Sequence, residues 1–214
     1  MAEPAEIPAH AERTDDAYYL IEGGAPLRGE VRLSGAKNAA TKLMVASLLT
    51  EDPCVIRNAP LRLGDVTITE EVVKALGTVI AWQAEHVAVI QTKAITNPEV
   101  PLALGRKNRL AILTAGPLLH RVGKATIPAP GGDRIGPRPI NFHLDGLQRM
   151  GAILKSHDGL YDFRAPTTGL KGATIELPFP SVMATETLII AATLARGATV
   201  IENAAIEPEI IDLI

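Results

Sequence analysis

The chain has 214 residues, 47% of them hydrophobic and 21% charged, a composition that fits a globular protein of one domain or at most two. A net charge of −3 and an aromatic content of only 3% argue against a nucleic-acid surface, which needs positive field and stacking rings. The single cysteine excludes a disulfide framework and a Cys-rich metal site, and no stretch is long and apolar enough to span a bilayer.

Residues 1–17 (MAEPAEIPAHAERTDDA) are polar and acidic and lack the apolar run of a signal peptide. They read as a disordered lead-in, and an intracellular, cytoplasmic protein is the expectation. The body runs over 18–214. Residues 19–21 read as a short strand, and 27–33 (LRGEVRL) alternates as a second. SGAKNAA at 34–40 turns into an apolar helical run over 41–49. A buried strand follows at 53–60, with Cys54 read as a buried small hydrophobe. Residues 65–76 read as an amphipathic helix, with Asp65 or Thr67 as N-cap and Gly77 as its stop. Residues 79–82 and 87–91 read as paired strands. The order is strand, helix, strand, helix, strand, strand.

That order recurs. VIENA at 200–204 matches VIRNA at 55–59, and LKG at 170–172 matches LRG at 27–29. Between the matched ends lie two apolar helices, from Ala40 and from Ala184. A weaker middle copy places Met150-Gly151 opposite Leu76-Gly77. A period of about 70–75 residues with mixed elements predicts a few large βαβαββ units packed together, an α/β (α+β) fold. The chain stops at Ile214, in the opening turns of the third unit's second helix. The expectation is therefore an incomplete third unit with an uncovered apolar face and sheet edge.

The stretch 128–151, PAPGGDRIGPRPINFHLDGLQRMG, gathers the densest chemistry. Asp133 follows a glycine pair, and Arg134 and Arg138 flank a second turn at Gly136-Pro137. Glycine lets backbone come close to a ligand, and arginine forks match phosphate or carboxylate. A solvated loop with incidental charges is the competing reading. Lys37 and Asn38 sit at a strand-to-helix turn, where backbone N–H groups already favour anions. An exposed lysine there is the alternative, at a small cost against the helix dipole. Arg109 occupies the equivalent turn of the middle unit, and Arg106 and Lys107 read as a solvated face. Ser181 occupies the turn in the third unit, where its hydroxyl either caps the helix or donates to phosphate. His143 reads as a packed histidine, and Glu186 and Glu202 show no carboxylate pairing. No metal-ligand spacing and no nucleophile–base triad is apparent, so neither a metal nor a cofactor is expected.

GEVRLSGAKNAA from Gly29, the loop just quoted and ATLARGATVIENAAIEPEIIDL from Ala192 together resemble the enolpyruvyl transferases, from about Tyr18 to the last residue. The resemblance is nearest to the branch that works on UDP-N-acetylglucosamine. It implies two similar halves, each of three βαβαββ units, with the active site between them. This chain then holds most of one half, and a chain supplying the missing second domain is the partner implied. The implied reaction transfers the enolpyruvyl group of phosphoenolpyruvate to the 3-hydroxyl of UDP-N-acetylglucosamine, the first committed step of peptidoglycan synthesis. The isolated chain is expected to be inactive.

The resemblance makes Asp133 the general acid, at a position where cysteine is usual and where fosfomycin attacks the thiol. It makes Lys37, Arg109 and Arg138 the cations that hold phosphoenolpyruvate or the sugar nucleotide, and Asn38 a substrate contact. Arg138, Pro139, Ile140, Asn141 and Phe142 match the uridine side. Phe179, Pro180, Ser181 and Val182 match the diphosphate side. Asn141 stands where aspartate is expected, Phe179 where lysine is common and Met183 where glycine is common, which puts weight on the nucleotide half of the site. Two other readings remain: an enolpyruvyl transferase for another acceptor such as shikimate 3-phosphate, against which the GGDRIGPRP loop weighs, and a non-catalytic fragment or interaction module.

Overall fold

The computed structural model describes residues 20–21, 23–24, 26–60, 63–84, 86–131 and 139–214. The chain divides into a unit of Met1–Leu33 and a unit of Ser34–Ile214. In the first, the described residues form no helix or strand. The strand expected over 27–33 is therefore absent. Its alternation puts Leu27, Val31 and Leu33 on one side, but all three are more than 80% exposed. An alternating pattern makes a half-buried strand only where one face is covered and a ladder partner is present. Residue 19 of the other expected strand lies outside the described residues.

The second unit opens with α1 (Lys37–Ala46), which tightens into a 3-10 turn over Ser47–Leu49. Next come β1 (Cys54–Arg57), α2 (Gly64–Ala75), β2 (Val79–Ala84) and β3 (Val87–Gln91). The sheet order is β1-β3-β2, with both pairings antiparallel. A short α3 (Leu102–Gly105) and a 3-10 turn (Leu110–Thr114) lead into α4 (Ala115–Val122). Then follow β4 (Lys124–Pro128), α5 (Asn141–Arg149), β5 (Ile153–His157) and β6 (Leu160–Arg164). Their order, β4-β6-β5, repeats the first sheet. β7 (Thr174–Glu176), α6 (Val182–Ala192), β8 (Val200–Glu202) and α7 (Pro208–Leu213) complete the chain, and β7 pairs with β8 in parallel across α6.

The repeat read in the sequence is thus a repeat of topology. In the middle copy the parallel partner of β4 has shrunk to a single bridge between Glu99 and Thr126. Val100 N–H donates to the Thr126 carbonyl at 3.0 Å to hold it. The matched VIRNA and VIENA segments share an unusual backbone as well. Asn58 and Asn203 both take the left-handed conformation, at φ 56° and 54°. Asparagine tolerates this region better than most residues, so the same exit from β1 and β8 needs the same side chain.

Gly77 stops α2 as expected, at φ +115°, and a Cβ there would meet the Ala94 carbonyl oxygen at 2.5 Å. The expected cap of α2 is different. Leu63 holds the N-cap position with no side-chain bond, and Asp65 lies in the first turn, where its charge meets the helix dipole. Cys54 is half-buried rather than buried.

The core lies where the helices meet between the sheets. Leu118 of α4, Leu147 of α5 and Leu188 of α6 are all fully buried, against Phe163 of β6 and Ile175 of β7. Gly116 lets α4 approach Ala191 of α6 closely; a Cβ would come within 3.0 Å of the Ala191 Cα. α6 is apolar on nearly every side, as a helix enclosed by others must be. It follows that a charged residue on α6 needs its partner inside the protein.

Candidate functional site

A cleft of about 610 Å³ opens between the N-termini of α1, α5 and α6 and the start of α7. α1 supplies Asn38 and Lys42, four residues apart and so on one helix face. Arg109 comes from the turn before the 3-10 segment. There the Asn108 side-chain oxygen accepts from the Leu110 N–H at 3.0 Å and sets the turn. Pro139, Phe142 and His143 come from the approach to α5 and its first turn, and Phe179, Pro180, Ser181, Val182 and Met183 lead into α6 beside them. Glu186 of α6, with Glu207 and Glu209 at the start of α7, also lines it.

Several contacts set this shape. An Arg109 guanidinium N–H donates to the Pro139 carbonyl at 3.4 Å, which ties the middle unit's turn to the far end of the Gly/Pro loop. Phe142 and Phe179 meet edge to face with ring centroids 5.1 Å apart, a favoured aromatic geometry. The Asn38 amide donates to Glu209 Oε1 at 3.3 Å. Lys42 Nζ stands 3.5 Å from Glu186 Oε1, an ion pair rather than a close hydrogen bond.

His143 is buried, and its Nδ1 lies 2.8 Å from Thr187 Oγ1. That hydroxyl gives its own proton to the Met183 carbonyl at 2.9 Å, so the hydrogen-bond network assigns the imidazole proton to Nδ1. Burial, and then the nearby Arg109 charge, push the His143 pKa down to about 3, so the ring is neutral at physiological pH. The packed-histidine reading fits this geometry. Glu186 moves the other way. Burial raises its pKa to about 7; the Lys42 charge and its long hydrogen bond oppose the rise, and the Glu209 and Glu207 carboxylates add to it.

Of the residues expected at the site, Asn38, Arg109, Pro139, Phe142, Phe179, Pro180, Ser181 and Val182 line this one cleft. Lys37 does not. It is half exposed and pairs with Asp65 at 2.6 Å, because the first residue of α1 faces the first turn of α2. Ile140 is buried before α5, its carbonyl accepting from the His143 N–H at 3.0 Å, and Asn141 is the exposed first residue of that helix. Ser181 holds the N-cap position of α6, but its hydroxyl makes no cap bond. Asp133, Arg134 and Arg138 lie outside the described residues. Gly131, at the loop's near end, packs so closely on the Arg106 carbonyl that a Cβ there would overlap it.

Lys42, Glu186, Glu207 and Glu209 are site-lining residues that the sequence alone did not single out. The available signal was spacing: Lys42 follows Asn38 by one helical turn, and Glu186 follows Val182 by one turn. Among the described residues no group of three or more His, Cys, Asp or Glu side chains is placed to hold a metal ion. No helix among them is long and apolar enough to cross a membrane.

Curated relatives include the UDP-N-acetylglucosamine 1-carboxyvinyltransferase of Chlamydia pneumoniae, 48% identical over 196 residues, which are 91% of this chain and 42% of that protein. The protein of the same name from Gloeobacter violaceus is 44% identical over 210 residues, 98% of this chain and 45% of its own length. The chain thus spans somewhat under half the length of these relatives. Among solved structures, the enolpyruvyl transferase NikO from Streptomyces tendae superposes with a TM-score of 0.75 at 22% identity, over 90% of this chain and 45% of that one. EPSP synthase from Acinetobacter baumannii gives 0.65 at 18% identity, over 86% and 42%. These two establish the fold, with its mixed sheets and helices. Residues 21–214 match the family EPSP synthase (3-phosphoshikimate 1-carboxyvinyltransferase), and the chain belongs to that family.

Proposed function

We propose that this chain carries the ligand-binding face of a UDP-N-acetylglucosamine 1-carboxyvinyltransferase, which moves the enolpyruvyl group of phosphoenolpyruvate onto the sugar 3-hydroxyl and releases phosphate. The observation that supports this best is the single cleft that gathers Asn38, Arg109, Pro139, Phe142 and the 179–182 segment, read together with relatives of that name at 44–49% identity. In this reading Arg109 holds an anionic group, and the uncapped N-terminus of α6 with the Ser181 hydroxyl meets a phosphate. The Phe142–Phe179 pair offers an aromatic edge beside the nucleotide. Asp133 is the general acid, giving a proton to the enolpyruvyl carbon as the sugar oxygen adds; the proton is lost again as phosphate leaves. That role requires a raised carboxyl pKa, against the pull of Arg134 and Arg138.

Lys37, half exposed beside Asp65, keeps ammonium donors to spare for the same ligand. The reading assigns ligand binding to this chain; turnover needs groups from both faces of the family's cleft. The test is calorimetric titration of UDP-N-acetylglucosamine, then phosphoenolpyruvate, into the 214-residue protein and its Arg138→Ala variant. Sugar-nucleotide binding that the variant loses supports the reading. Binding of shikimate 3-phosphate in its place would move the chain to the other acceptor class, and no binding from a folded chain would leave the interaction-module reading ahead.

A further inference from the structure

The Lys42–Glu186 pair has no place in the chemistry above, yet it lies within the cleft. Glu186 is 0% exposed, and beyond the distant Lys42 ammonium neither carboxylate oxygen has a described hydrogen-bond donor. Such burial is costly, because a carboxylate taken from water normally requires two or more donors. Lys42 Nζ, 3.5 Å from Oε1, offsets part of the charge as a long, weak donor and leaves the remaining lone pairs unsatisfied. Glu207, on the same lining, has a buried oxygen with no partner either. This part of the cleft lining is thus rich in acceptors.

We propose that Glu186 forms an acceptor subsite at the floor of the cleft for an uncharged hydrogen-bond donor of the ligand, a hydroxyl or an amide N–H, with Lys42 holding the carboxylate in position. The neighbours decide the class. Three carboxylates, Glu186, Glu207 and Glu209, gather here against the one ammonium of Lys42, so an anionic group is repelled from this spot. His143, on α5, is neutral and spends Nδ1 on Thr187, and His120 of α4 is bonded to the Ala191 carbonyl at the other end of α6. Among the three carboxylates Glu186 is the fully buried one, so a donor here meets an acceptor cut off from water.

The class has a signed consequence. A donor bonded to the ionised carboxylate favours that form and lowers the Glu186 pKa from about 7, so binding near neutral pH releases protons. An anion at Lys42 would raise it and take protons up.

The experiment is a pH titration of the 214-residue protein labelled with 13C at its glutamate carboxyls, followed by NMR. It is run alone, with N-acetylglucosamine as a neutral donor, and with inorganic phosphate. The choice of that sugar rests on the proposed function. Glu186→Gln identifies the resonance and is expected to weaken sugar-nucleotide binding about 10-fold. The expected result is a Glu186 midpoint that the sugar lowers and phosphate does not. A midpoint that the sugar leaves in place overturns the subsite, whether or not phosphate moves it. Binding of UDP-N-acetylglucosamine with no Glu186 response would keep the transferase reading and remove the subsite. A sugar response without sugar-nucleotide binding would do the reverse.

Discussion

Lys42 and Glu186 face each other across the cleft floor from two different repeats, with side chains only 7% and 0% exposed. A pair so withdrawn from water is worth little net, yet removing one member strands the other. Lys42→Ala is therefore expected to destabilise the protein by about 3–5 kcal/mol. The double change Lys42→Met with Glu186→Leu should recover most of that loss. Urea midpoints of the three proteins check the pattern, and additive losses would contradict it.

Stability against pH should separate Glu186 from His143. Glu186 has its folded pKa raised from an ordinary 4.5 to about 7, so its contribution is complete below 4.5 and is lost as pH rises through 7. His143 has its folded pKa depressed from 6.5 to about 3, so its contribution is present above 6.5 and is lost as pH falls through 3. Between about 4.5 and 6.5 the two slopes oppose, and the contributions of these two groups largely cancel. Glu186→Gln should unmask a stability that rises with pH across that window, and His143→Asn one that falls. Denaturant midpoints at half-unit pH steps measure both.

Fosfomycin should leave this protein unmodified. In the proposed reading Asp133 takes the place of the cysteine that fosfomycin attacks, and Cys54 is the only thiol. Burial, and then the charge of Asp52, raise the Cys54 pKa, which starves it of thiolate. Intact-mass spectrometry after incubation should show no adduct on the wild-type chain. Asp133→Cys should gain one.

Gly77→Ala is expected to cost about 1–3 kcal/mol, because φ +115° is a region that L side chains rarely adopt. The new methyl also meets the Ala94 carbonyl. Gly159→Ala, at φ +75° with open space around it, should cost less. Thermal melts of the two variants rank them, and equal losses would show that backbone strain alone decides.

Arg109→Ala should weaken binding of UDP-N-acetylglucosamine by about 10- to 100-fold, the loss of a charge-assisted contact. Lys37→Ala should have a smaller effect on sugar-nucleotide affinity, since Lys37 lies outside the cleft lining and is held by Asp65. Calorimetric affinities compare the two.

The sequence by itself determined the repeat, and with it the topology. Turn chemistry and period are local, so VIRNA and VIENA had to leave their strands the same way, and Gly77 and Gly151 had to stop equivalent helices. The positions that gather in the cleft were legible too: Asn38, Arg109 and the 179–182 segment occupy the same turn of successive units, and stacked units bring such turns together. Tertiary structure alone decided the rest. Alternation over 27–33 could not make a strand, because ladder partners and a covered face are not properties of one segment. Adjacency in sequence set Lys37 beside Asn38, but neighbouring residues on a helix point in different directions, and only Asn38 turns into the cleft. Lys42 and Glu186, 144 residues apart (186 − 42), meet because α6 is enclosed by other helices. Enclosure is what removes water from Glu186, raises its pKa and leaves its oxygens waiting for a donor.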